Sequence, residues 1–136
     1  MSKKQIATFL APNLGLSIVG SHAYAFSGAF PALNSAQTLL DFSSGNDYIV
    51  ATLTLTAPLN FGANVDNGIM RGWQLDFNGQ TVGTYKADTI NEDMPSFVEV
   101  QILIPPRTTV VLQCIDSATH ADFKGTANLT GKVHNA

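Results

Sequence analysis

One cysteine in 136 residues excludes an internal disulfide framework and any zinc site built from several thiolates. Charge is scarce as well. Asp, Glu, Lys and Arg together make 12% of the chain, against about 25% in an average soluble domain, and Thr, Ser, Asn, Gln and Gly fill the difference. With 45% apolar residues and a net charge of -3, the composition excludes both a disordered chain and a Glu/Lys/Leu coiled coil. Seven basic residues against ten acidic ones leave no basic field for specific nucleic-acid binding. No apolar run approaches the ~18 residues of a membrane-spanning helix. No internal repeat and no convincing helical period is present.

Catalytic signatures are missing too. His22, His120 and His134 lie far apart, with no HExxH and no Cys/His array. There is no GxSxG elbow, no phosphate-binding GxxxxGK[ST] and no GxGxxG opening a helix. The reading is therefore non-enzymatic, with no catalytic residue, no cofactor and no metal expected. Weaker clusters are outweighed by ordinary loop chemistry: Asp116, His120 and Asp122; the acidic stretch Asp88, Asn91, Glu92 and Asp93; and the turn at Asp66, Asn67 and Gly68. The Asn128-Leu129-Thr130 sequon falls inside an expected strand.

What is present has period two. Over 96–104, Val98, Val100, Ile102 and Ile104 alternate with Phe97, Glu99, Gln101 and Leu103, which predicts a half-buried strand. Over 47–56, Ile49, Ala51, Leu53 and Leu55 take one face and Tyr48, Val50, Thr52, Thr54 and Thr56 the other, a pattern suited to a pleated surface and poor in a helix. Residues 70–77 and 80–86 flank Asn78-Gly79, the pair that accepts positive φ in a type I′ hairpin. Trp73, Leu75 and Phe77 then share a face. Pro105-Pro106 breaks the ladder, so 107–115 begins a new strand with Val110 and Leu112 inward and Cys114 packed beside them. Further strands are expected at 126–134, 37–42 and, more weakly, 5–10.

These runs amount to an all-β domain of eight strands, whose long connections at 57–69 and 87–95 suit a jelly-roll-like sandwich better than an up-and-down barrel. The expected core is Leu53, Leu55, Trp73, Leu75, Phe77, Val98, Val100, Ile102, Ile104, Val110 and Leu112. Residues 1–35 read as an N-terminal arm and 36–136 as the sandwich. The arm imitates a secretory signal, with Lys3-Lys4 ahead of Ala23-Tyr24-Ala25, but Pro12-Asn13 interrupts the apolar stretch. Its apolar residues are explained by packing on the domain or on a neighbouring subunit, and Lys3, Lys4, Ile6, Phe9 and Leu10 are the candidate assembly residues. A surface this poor in charge suits coverage by neighbouring copies.

The Lys-bearing start, Met1-Ser2-Lys3-Lys4, the Thr-rich strands, and the corner running from Ile102 through Pro105-Pro106-Arg107 to Val111 resemble small virion proteins of bacterial viruses. The nearest in kind are single jelly-roll penton and minor capsid proteins. That resemblance implies a scaffold in the virion: a homo-oligomer, pentamer or trimer, with loops at one end gripping other virion proteins. The alternative is a carbohydrate-binding β-sandwich module, with Trp73, Tyr24, Tyr48 and Tyr85 as platform candidates. A cupin-type enzyme would need an inward histidine cluster that the spacing does not provide.

Overall fold

The computed structural model describes residues 15–58, 69–88 and 97–135. Eleven strands are present there: β1 (Ser17–Val19), β2 (His22–Phe26), β3 (Phe30–Ala32), β4 (Gln37–Ser43), β5 (Tyr48–Thr56), β6 (Met70–Phe77), β7 (Gln80–Asp88), β8 (Phe97–Ile104), β9 (Thr109–Asp116), β10 (His120–Gly125) and β11 (Ala127–His134). All pairings are antiparallel. One sheet has the order β1-β2-β11-β5-β8, the other β4-β9-β6-β7, and β3 with β10 forms a separate ribbon. Setting aside β1, β3 and β10, the eight remaining strands form two four-stranded sheets interleaved in sequence, β2-β11-β5-β8 and β4-β9-β6-β7. That is the connectivity of a jelly roll.

The strand count exceeds the eight expected because β1 and the β3–β10 ribbon lie outside the two four-stranded sheets. The eighth strand of the two sheets is β2, which lies within the stretch read as an arm. The weak expectation at 5–10 lies outside the described residues.

The two sheets meet through their alternating inward positions. Leu53, Leu55, Leu129, Ile49 and Ile104 come from one sheet, and Trp73, Leu75, Val110, Leu112, Leu40 and Phe42 from the other; all are buried. Of the expected core, Phe77, Val98 and Ile102 pack against this cluster while partly buried, and Val100 is half-buried. The last three lie on β8, at a sheet edge, where no strand among the described residues pairs with one flank.

The two ends of the sandwich differ. At one end the short turns after β4, β6 and β8 tie together: Ser44 donates from its hydroxyl to the Pro105 carbonyl at 2.7 Å, and Thr109 donates its N–H to the Asn78 side chain at 2.8 Å. Asn78 and Gly79 have φ of 52° and 81°, both in the left-handed region that the type I′ hairpin requires. The opposite end carries the connections after β2, β5 and β7, of which 57–69 and 89–96 are the longer ones.

Candidate functional surface

The outer face of the five-stranded sheet is the most unusual surface of the described residues. Strand register places Val19, His22, Lys132, Val50 and Leu103 side by side across the five strands. The next row is Ser17, Tyr24, Thr130, Thr52 and Gln101, and the next Phe26, Asn128, Thr54 and Glu99. Its strand positions hold two charged side chains, Lys132 and Glu99. Aromatic rings run along β2, with His22 and Tyr24 centroids 6.4 Å apart and Tyr24 and Phe26 6.0 Å apart. At the far corner Tyr48 stacks on His134 at 5.4 Å. Val19, Phe26, Val50, Phe97 and Leu103 are 40–62% exposed. Hydroxyls, amides and apolar groups can pack against a like surface or hydrogen-bond a neutral partner.

The other sheet carries a groove on its outer face. Gly72 leaves its floor open, and Gln74, Thr84, Lys86, Gln113 and Ile115 line a volume of about 460 Å³. Gln74 and Gln113 face each other across β6 and β9.

Beneath the long-connection end lies a buried ion pair. Arg71 and Asp116 have fully buried side chains, with Nε to Oδ1 at 2.6 Å and Nη2 to Oδ2 at 3.0 Å. Nη2 also donates to the Pro31 carbonyl at 3.1 Å, and the Leu33 N–H donates to Oδ2 at 2.9 Å. The pair therefore fastens the chain around β3 to the ends of β6 and β9. Bidentate, hydrogen-bonded geometry of this kind is what lets two charges stay buried.

The sequence-based candidates distribute as follows. Asp116 belongs to this ion pair at the end of β9, while His120 and Asp122 sit on β10 with exposed side chains; the segment is two strands joined by a short turn, not one loop, so the three do not form a site. No group of three or more His, Cys, Asp or Glu residues gathers among the described residues. Trp73 is 2% exposed and faces Tyr85 on β7 inside the sandwich, so it offers no sugar platform. Tyr24 and Tyr48 are on the outer face of the five-stranded sheet. Asn128 lies on β11 as expected. Lys3, Lys4, Ile6, Phe9 and Leu10, the turn at Asp66, and Asn91, Glu92 and Asp93 lie outside the described residues. Sequence reasoning missed Arg71, although it alternates in phase with Trp73 and Leu75.

Cys114 is 3% exposed. Burial pushes its thiol up to about 11, with the Arg71 charge pulling it down and the Asp116 carboxylate pushing it up. A neutral, covered thiol is a packing group. At pH 8 a thiol reagent is expected to label Cys114 in denaturant and not in the native protein; rapid native labelling would contradict this. An unfolded thiol ionises near pH ~8.5. Because the folded value is raised, stability from this group is complete below that pH and is lost as pH rises toward 11. Cys114→Ala should flatten the alkaline decline in the urea midpoint.

No protein-family model matches the chain, and no curated protein does. Among solved structures it is similar to the infectious bursal disease virus VP2 subviral particle, with 13% identity over 83% of this chain and 32% of that one at a TM-score of 0.47. It is also similar to the structure of the infectious bursal disease virus Gx strain, with 16% identity over 79% of this chain and 29% of that one at a TM-score of 0.40. The chain thus spans about a third of the length of the viral chains it is similar to.

Proposed function

We propose that this protein is a virion structural protein, a penton or minor capsid building block of a bacterial virus that acts by self-assembly and by docking other virion proteins. One observation carries the reading: the outer face of the five-stranded sheet exposes Val19, Phe26, Val50, Phe97 and Leu103 with only Lys132 and Glu99 as charged strand positions. A large uncharged patch of this kind is a liability on a monomer and an asset where copies cover each other. In this reading the long-connection end of the sandwich holds the spike or decoration partner. The first residues, with Lys3, Lys4, Ile6, Phe9 and Leu10, reach a neighbouring subunit.

Light scattering after size exclusion tests this. The expected mass is a multiple of 14.5 kDa, five- or threefold for a capsomer, and removal of residues 1–14 should weaken the assembly. A monomer at all concentrations would refute it.

The outward row His22, Tyr24 and Phe26, with Tyr24 half-buried and Asn128 and Thr130 alongside, favours a second reading, a module that stacks neutral sugars on aromatic rings. Titration with soluble glycans, followed by tyrosine signals, separates the two. Saturable binding that Tyr24→Ala removes would support the module.

A further inference from the structure

We infer that β8 is a pairing edge, through which two copies of this chain join their five-stranded sheets about a two-fold axis at Val100. The two large sheets have four edges. Three are blunted in the ways proteins use to avoid edge-to-edge pairing: β1 is three residues long, and β4 and β7 each carry a register irregularity against their neighbours. β8 has no such device. Its eight residues pair with β5 without a break, from Thr56 opposite Phe97 to Ile49 opposite Ile104. It contains no proline, and Glu99 is its one charge. Phe97 and Leu103 are 62% and 57% exposed. Backbone N–H and C=O groups of alternate residues point away from β5, so the edge is a template for another strand.

The residue pattern selects both partner and register. In an antiparallel pair, directly opposed residues share a face. A two-fold axis at Val100 sets Phe97 of one copy opposite Leu103 of the other, Glu99 opposite Gln101, Val98 opposite Ile102, and Val100 opposite itself. From Phe97 to Leu103 each apolar residue then meets an apolar one, and each carboxylate meets an amide that can donate to it. An axis at Glu99 would oppose two carboxylates, and an axis at Gln101 would oppose Glu99 to Leu103. The sequence of β8 is self-complementary at Val100 and at neither neighbouring position.

This inference rests on the self-assembly reading and adds the contact that joins one unit to the next. Cysteine placed singly at 99, 100 and 101 reads the register, since Cys114 is buried and does not compete. Opposed residues lie about 4.5–5.5 Å apart at Cα, within disulfide reach, whereas diagonal neighbours at about 7–8 Å are not. Mild oxidation should therefore give a covalent dimer with Val100→Cys and little with Glu99→Cys or Gln101→Cys. Gln101 is exposed, so charge can be changed there without disturbing the fold. Gln101→Glu should raise the dimer dissociation constant by about 10-fold or more, and Gln101→Lys should lower it. Crosslinking at 99 or 101 instead of 100 would overturn the register. If an oligomer persists unchanged in Gln101→Glu and folded Val100→Cys gives no dimer, the β8 contact is wrong while the self-assembly reading stands. A monomeric full-length chain would remove both.

Discussion

Asp116→Ala is expected to lower the unfolding free energy by about 3–5 kcal/mol, because it leaves the Arg71 guanidinium charged, buried and without its carboxylate. Against a total of about 5–15 kcal/mol for a domain, that is a large fraction, and the melting temperature should fall by roughly 10 °C or more. The loss has a second part. Asp116 accepts the Leu33 N–H, and Arg71 donates to the Pro31 carbonyl, so the segment around β3 loses its attachment to β6 and β9. Replacing both partners, Arg71→Met with Asp116→Leu, should recover much of the stability, since a well-packed apolar pair of similar volume is often as stable as a buried ion pair. Denaturant unfolding of the two single variants and the double gives the coupling, expected to be strongly non-additive. Hydrogen exchange at Leu33 should stay fast in the double variant, because no carboxylate remains to hold that N–H. Additive effects, or a stable Asp116→Ala, would show that the pair does not govern this end of the sandwich.

The same pair shows where the sequence was legible and where it was not. Arg71 keeps phase with Trp73 and Leu75, and Asp116 keeps phase with Val110, Leu112 and Cys114. Alternation alone is enough to place both inward, yet Arg71 escapes notice in the sequence and Asp116 reads there as a loop residue. What one strand's period cannot report is that two inward charges 45 residues apart meet; that depends on the pairing of β6 with β9. The alternation at 47–56 and 96–104 matches the observed faces because Ile49, Leu53, Leu55 and Ile104 point in, while the outward positions mix Thr, Gln and Glu with Val50, Phe97 and Leu103. β2 inverts that rule. Its inward residues are Ala23 and Ala25, and its outward ones are His22, Tyr24 and Phe26, so the largest side chains face out and the hydrophobic period points the wrong way. The inward Ala23 continues a row of small residues through Gly131 of β11 to Ala51 of β5. The outer surface was legible only as a shortage of charge. Which residues adjoin on it follows from register across five strands, and a single sequence does not carry that.

Gly131 supplies the second large effect. It sits on β11 between Ala23 of β2 and Ala51 of β5, a row of small residues crossing three strands. A Cβ built there would lie 2.4 Å from the Val50 carbonyl oxygen and 2.7 Å from both Cα and Cβ of Ala51. Two of those atoms are backbone of a strand paired on both sides, so the contact is relieved only by spreading the ladder. Overpacking a core typically costs about 1–3 kcal/mol and sometimes more; with backbone as the obstacle, Gly131→Ala belongs at the upper end, about 3 kcal/mol. Gly72, on the middle strand of the other sheet, is the control. Its added Cβ would come no closer than 3.9 Å, to the Tyr85 carbonyl oxygen, an ordinary contact, so Gly72→Ala should change stability by no more than about 0.5 kcal/mol. The comparison isolates sterics, because both substitutions remove the same backbone freedom in a mid-sheet position. Equal urea midpoints for the two variants would mean that β11 can move away from β5. In that case the five-stranded sheet would be too loose to hold β8 in the unbroken register on which edge pairing depends.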